Sequence, residues 1–467
     1  MLWSKTMKLS RKKIVILVIQ IIMIIIINTM GIKFNISVYG SIILMYSLIS
    51  FMCIVNIQKK IITPINILYI SFILFQAGIP IAYCINDKYF NYYMLLFSNE
   101  LIMKAAKYTL WSIETFSMGL IIALKSDVSE SKKMLFTNSA AINNQIYVYK
   151  MARIIFSLTM VVVVPLYVFV AYLSVSTGFS QVTRSLIASN AIFNLARAFY
   201  IPSFFLLVCY GKEKQFTKIA KYIFYFTCIL ALLSGNRTDG ILWLITYFYY
   251  NRLDYGDKRK HQIGLVIGIA VIVYLAVYIG QSRISNEMVS SKNVIMGIIG
   301  EMGFNFTSIC FVMNYVPTIT RFKYGFTYFN SILCMMPKSL DILHIFDSLN
   351  NSLPIQWLFD MNHLKYGGLL DFGVGFSTIA ESYMNFANMG IVVSFLYALL
   401  LCGVFNRKWN RNSNWEKYIQ MILFLAFMTF PRRAFNELIN NIEYSIFLIA
   451  LLLIAFYRLI KGKIKND

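Results

Sequence analysis

Twelve stretches dominated by apolar residues recur along this chain, near 14–31, 36–57, 66–84, 105–124, 154–176, 198–210, 222–233, 241–250, 263–281, 389–405, 418–430 and 444–457. A helix needs about 20 apolar residues to cross the hydrocarbon layer of a bilayer, within a range of about 17–25. Helices also satisfy their own backbone hydrogen bonds, so such a chain is expected to form a helical bundle in a membrane. The composition agrees, with 58% of the 467 residues hydrophobic and only 13% charged. An ordinary soluble domain carries about 25% charged residues, and this chain has too few to coat a water-facing surface of its size. The expected fold class is an all-α polytopic membrane protein with about 12 transmembrane helices. A soluble enzyme, a disordered regulator and a disulfide-stapled secreted domain are excluded.

The 43 Lys and Arg against 20 Asp and Glu give a net charge of +23. In a soluble protein that balance would suggest nucleic acid, but in a membrane protein it is first tested against the positive-inside rule. With both termini placed in the cytoplasm, about two thirds of the basic residues fall in the shorter, cytoplasmic connections. The charge therefore reads mainly as an orientation signal, and no nucleic-acid partner is expected. Lys5, Lys8, Arg11, Lys12 and Lys13 precede a long apolar run with no A-x-A cleavage site, the pattern of a retained signal anchor. Seven scattered cysteines form no CxxC and lie mostly inside apolar runs, so neither a metal site nor a disulfide framework is expected. Cys310 and Cys334 are the one pair that could meet in a shared outer loop.

This topology divides the chain into nine spans over 1–281, one large extracytoplasmic segment over 282–388, and three spans over 389–467. Within the large segment, Val294 to Val316 is apolar but interrupted by Gly297, Gly300, Glu301 and Gly303, which reads as a re-entrant or interfacial helix. The pair at 222–233 and 241–250 is short for spans. At 1.5 Å per residue, Tyr222 to Gly235 extends about 21 Å against a core of about 30 Å. The turn SGNRTDG (Ser234 to Gly240) is therefore expected to be recessed, where a guanidinium is tolerable only in a protein-lined, watery cavity. Its alternative is an ordinary exposed loop between longer helices.

No P-loop, HExxH or G-x-S-x-G motif occurs, and His261, His344 and His363 lie far apart. What remains on the outer side is a set of arginines near span ends: Arg184, Arg197, Arg237, Arg283, Arg321, Arg432 and Arg433. Arginine grips phosphate oxygens bidentately and keeps its charge in poor solvent, although any one of these could equally snorkel or pair with a nearby acid. Arg237 is the most distinctive, flanked by Gly235, Asn236 and Asp239. Glu114 lies inside the fourth span and must face the bundle, for a structural hydrogen bond or for a role. In GVGFSTIAESYMNFANMGI (Gly373 to Ile391), Ser377, Glu381 and Asn385 are spaced to share one helix face. That stripe suits a sugar or phosphate cavity, or alternatively the loop's own core.

The segments SGNRTDG, YGFTYFNSILCMMP (Tyr324 to Pro337), GVGFSTIAESYMNFANMG (Gly373 to Gly390) and FPRR (Phe430 to Arg433) resemble the Wzy-type bacterial polysaccharide polymerases of O-antigens and capsules. Such sequences carry an Arg-bearing turn after a mid-chain span, a G-x-T-Y stretch followed by Pro, and a G-x-S-x-x-x-E-x-Y-x-N-F-G-x-x-G helix. Ala387 stands here where the family commonly has Gly after Asn-Phe. The resemblance implies a C-type membrane glycosyltransferase-like fold in the bacterial inner (plasma) membrane. It also implies polyprenyl-pyrophosphate-linked oligosaccharides as substrates at the outer leaflet, no nucleotide sugar, no cofactor, and a chain-length regulator as a protein partner. On this reading Arg237, Arg283, Arg432 and Arg433 hold the leaving pyrophosphate. Glu381, with Asp239 second, is the base, while Asn236, Ser377, Tyr383 and Asn385 line the substrate. No metal ligands are expected. A lipid-linked oligosaccharide flippase or transporter, and an O-antigen ligase-type transferase, are the alternatives.

Overall fold

The computed structural model describes residues 35–85, 92–124, 139–176, 191–234, 237–253, 302–334, 352–366, 375–406 and 413–464, with a few single positions outside these runs. Every regular element among the described residues is helical. We number the α-helices α1 (Ile36–Gln58), α2 (Pro64–Ile85), α3 (Asn99–Ala123), α4 (Ser139–Ser176), α5 (Ala191–Tyr210), α6 (Gln215–Leu233) and α7 (Arg237–Leu253). They continue as α8 (Phe306–Tyr315), α9 (Phe326–Leu333), α10 (Pro354–Tyr366), α11 (Thr378–Phe386), α12 (Ile391–Phe405), α13 (Asn414–Thr429), α14 (Phe435–Ile442) and α15 (Ile449–Ile464).

Seven stretches among the described residues are long and apolar enough to cross a membrane. They are α1, α2, Gln145–Ser174 within α4, Ile192–Tyr210 within α5, α6, Thr378–Phe405 through α11 and α12, and Phe435–Arg458 through α14 into α15. Each overlaps a span expected from the sequence. Three further expected spans are helical but differ in kind. The 25-residue α3 carries Glu100, Lys104, Lys107 and Glu114, while α7 and α13 have 17 and 16 residues. The expected span at 263–281 and nearly all of that at 14–31 lie outside the described residues.

The side-chain distribution is that of a lipid-embedded bundle. In α1 the small and polar Gly40, Ser47 and Ser50 are buried, whereas Met45, Leu48 and Met52 are exposed. In water this would be inverted, but against hydrocarbon it places close-packing and hydrogen-bonding groups between helices. Local signals set the helix ends. Asn35 accepts a hydrogen bond from the Val38 amide at 2.8 Å to start α1. Ser413 accepts from the Glu416 amide to start α13, with Ser-x-x-Glu spacing.

Among its described residues, the apolar stretch within 294–316 forms a 3-10 turn, Gly303–Asn305, followed by α8, and all of α8 except Asn314 is buried. It packs on α2, α3 and α11. Gly303 and Gly78 make this possible, because a Cβ on Gly303 would lie 2.4 Å from the Gly78 Cα. Cys310 and Cys334 are both buried free thiols.

The expected shortness is corrected for the first of the two helices around SGNRTDG. Helix α6 starts at Gln215, seven residues before the apolar run, and has 19 residues, a rise of about 28 Å. Lys218 and Lys221 lie in its first turns, so a purely apolar count missed them. Helix α6 therefore has the length that the apolar count lacked, while α7 has 17 residues, the first of them Arg237.

Between α11 and α12 the chain makes a 3-10 turn, Ala387–Gly390, in which Ala387 has φ 52° and ψ −136°. That region favours glycine, which is the residue the resembling family commonly has there, and it costs an L-residue about 1–2 kcal/mol. Ala387→Gly is therefore expected to raise the melting temperature of the full chain in detergent, with a gain of about 1 kcal/mol. A lower melting temperature would contradict the strain.

Candidate functional site

Three of the four segments singled out in the sequence meet in space. The centre of the contact is Glu381, on α11 and 0% exposed. Its Oε1 accepts a hydrogen bond from the Thr327 hydroxyl at 2.8 Å, and its Oε2 accepts one from the Phe435 amide at 2.7 Å. Thr327 belongs to the G-F-T-Y stretch on α9. Phe435 is the first residue of α14, separated from the FPRR turn by Ala434.

The second bond has a clear local cause. Helix α14 begins after Ala434, which has no side chain able to cap it. Its first amides therefore need an acceptor from elsewhere, and the Glu381 carboxylate supplies one at the positive end of the helix dipole. The FPRR turn is tied down at two more points. Thr378 of α11 donates its hydroxyl to the Phe430 carbonyl at 2.9 Å, and the Gln76 amide of α2 donates to the Pro431 carbonyl. Phe430 packs edge-on against Tyr397 of α12, with centroids 4.9 Å apart.

Asn385, one turn after Glu381, completes the network. Its Nδ2 donates to Thr327 Oγ1 at 2.7 Å and to the Glu381 carbonyl at 2.8 Å, and its Oδ1 accepts from the Gly325 amide at 2.9 Å. Ser377 is the N-cap of α11, accepting from the Ala380 amide at 3.0 Å. Tyr383 is buried, edge-on to Tyr108 and to Phe322, with Lys104 Nζ 6.0 Å from its ring centre. The polar stripe Ser377–Glu381–Asn385 is thus real, but it faces protein. The expectation of an open cavity along it is corrected, because these oxygens and nitrogens are already used in folding α9, α11 and α14 against one another.

The arginines present a different picture. Arg432 and Arg433 are partly exposed beside this buried hub. Arg433 is 31% exposed and forms an ion pair with Glu437, one helical turn on in α14. Arg237 and Asp239 lie in the first turn of α7, with side chains outside the described residues. Asn236, Arg283 and Arg184 lie outside the described residues altogether.

Backbone topology nonetheless groups the arginine positions at one end of the bundle. Helix α13 starts at the end of the bundle that carries Lys417, where Met421 Sδ lies 3.9 Å from Cys209 Sγ just before the turn into α6, and it ends at the FPRR turn. Helix α6 runs from that same lysine end to the turn before Arg237, and α7 packs on both α6 and α13. Arg237, Arg432 and Arg433 therefore share one end, separated from the lysine end by about 24–28 Å of helix.

Sequence reasoning missed Thr327, Thr378, Gln76 and Glu437 as partners. Glu437 had a signal in its spacing of four from Arg433. Gln76, distant in sequence, had none. Tyr328, adjacent to Thr327, stacks on Phe386 and meets Phe435 edge-on. Its buried hydroxyl has no hydrogen-bond partner among the described residues.

A family model described as O-antigen polysaccharide polymerase Wzy matches residues 14–464. No curated protein and no solved structure matches the chain.

Proposed function

Because the chain belongs to the O-antigen polysaccharide polymerase Wzy family, a family of membrane enzymes that polymerise oligosaccharide repeat units, we propose that it moves a growing glycan from its polyprenyl pyrophosphate onto a lipid-linked repeat unit at the outer face of the membrane. A hydroxyl oxygen of the repeat unit's terminal sugar attacks the anomeric carbon of the growing glycan's reducing-end sugar. The bond from that carbon to the pyrophosphate oxygen breaks, and its electron pair leaves with the polyprenyl pyrophosphate. The hydroxyl proton passes to a base.

The observation that carries this reading is the FPRR turn. Gln76 and Thr378 fix its backbone and Glu381 holds the first amide of α14 behind it, so Arg432 and Arg433, the latter paired with Glu437, are carried on a preorganised mount. Preorganised cations aimed at developing charge are worth most in such a transfer. Arg432 and Arg433 bind the leaving pyrophosphate, joined by Arg237 and Arg283.

Glu381 is a positioning residue in this scheme, since a base must reach the acceptor hydroxyl to about 2.6–3.2 Å and this carboxylate is enclosed. Asp239 takes the role of base. The termini are cytoplasmic, which leaves the arginine end outside.

The state of the glycan in cells lacking this chain tests the reading. Exported single repeat units should accumulate on the lipid carrier. Few exported glycans would indicate a flippase, and long chains retained on the carrier a ligase.

A further inference from the structure

The end of the bundle opposite the arginines has its own organisation, which the proposed transfer does not use. Lys212, Lys214 and Lys218 lie on the turn into α6 and on its first turns, and Lys150 and Arg153 lie on α4, which packs beside α6. All five are exposed. Two of them cross the seam between these helices. Lys214 Nζ sits 3.8 Å from the ring centre of Tyr149 on α4, and the Arg153 guanidinium sits 4.7 Å from that of Phe216 on α6. Aromatic faces hold cations in place without neutralising them. Glu213 is the one acid in the 211–221 stretch.

Directly beyond these cations, along the same two helices, the surface turns apolar and stays exposed. On α4 it is formed by Ile154, Leu158 and Val161, the latter two 67% exposed. On α6 it is formed by Ile219, Tyr222 and Phe226, with Tyr222 76% exposed. A cationic head region continuous with an apolar track is complementary to one kind of molecule in the bilayer, a lipid with an anionic headgroup. Loop charge alone would satisfy the positive-inside rule without seating two cations on rings of a neighbouring helix.

We infer that the α4–α6 seam is a binding site for an anionic phospholipid, whose phosphate is held by Lys150, Arg153, Lys214 and Lys218 and whose acyl chains lie along Leu158, Val161 and Tyr222. It is about 28 Å of helix away from the turn at Arg237, so it is distinct from any pyrophosphate site there and does not depend on the proposed transfer.

The test uses the full-length protein in detergent, titrated with phosphatidylglycerol or phosphatidylcholine, with bound lipid counted by native mass spectrometry. Phosphatidylglycerol should bind the wild type and raise its melting temperature, phosphatidylcholine should do neither, and the effect should weaken with salt. Combining Lys150→Gln, Arg153→Gln, Lys214→Gln and Lys218→Gln should weaken phosphatidylglycerol binding at least tenfold, while Arg321→Gln with Lys323→Gln should leave it unchanged. Should the fourfold variant fail to fold, a photoactivatable phosphatidylglycerol on the wild type decides, with crosslinks expected in 150–161 and 214–229. Crosslinks elsewhere only, equal binding of both lipids, unchanged binding by the fourfold variant, or equal stabilisation by inorganic phosphate would overturn the site.

Discussion

Glu381→Ala is expected to abolish polymer and to lower the yield of folded protein, whereas Glu381→Gln should keep most of both. Alanine strands two buried donors, the Thr327 hydroxyl and the Phe435 amide, at a cost of about 1–3 kcal/mol each. It also releases the first turn of α14 and with it the FPRR mount. Glutamine can still accept from Phe435 through its carbonyl oxygen, and its amide can donate to the one lone pair that Thr327 Oγ1 has left beside its bond from Asn385, so that only the Thr327 hydroxyl proton loses its acceptor. A base behaves differently. Glutamine has almost no basicity, so a catalytic Glu381 would lose about 10²–10⁴-fold in rate on this change while the protein stayed folded. Polymer length in cells, read beside the amount of monodisperse protein in detergent, separates the two roles. Folded but inactive Glu381→Gln protein would return the carboxylate to catalysis.

Arg432→Ala and Arg433→Ala should each reduce polymerisation by about 10²-fold or more without loss of folded protein, the scale seen when a preorganised group is removed from developing charge. Both side chains are partly exposed beside a mount made by backbone carbonyls and an amide, so truncation leaves that mount intact. Lysine should rescue poorly at either position, because an ammonium cannot reproduce the planar fork. Arg321→Ala, at an exposed position before α9, serves as the control and should be tolerated. Normal chain lengths from both alanine variants would show that the FPRR turn is structural.

The long apolar runs made the helices legible, because hydrocarbon imposes one length and one pattern on them. Helix α3 was legible too, although Lys104, Lys107 and Glu114 break its apolar run, since its remaining residues still alternate at helical spacing. The start of α6 was not, because an apolar count stops where Lys218 and Lys221 begin, while the helix itself starts at Gln215. The stripe of Ser377, Glu381 and Asn385 was readable as one helix face. Its orientation was not, since whether a polar stripe meets water or protein depends on what packs against it. Here that is Thr327, 54 positions before Glu381 along the chain, and Phe435, 54 after it. The need for an acceptor at Phe435 could be foreseen only by asking who caps a helix that begins with Ala-Phe. Ala387 is the reverse case. Alanine in place of the glycine common in the family is a departure visible in the sequence alone, and it falls on a backbone position with positive φ.

The most direct measurement is reconstitution of the full-length protein in lipid vesicles with polyprenyl-pyrophosphate-linked repeat units extracted from cells lacking it, with the products resolved by mass spectrometry. The account predicts a ladder of lengthening glycans with one polyprenyl pyrophosphate released per added unit, without nucleotide sugar or ATP. Repeat units that cross the bilayer without being joined, or glycans transferred only to an acceptor that carries no polyprenyl pyrophosphate, would contradict it.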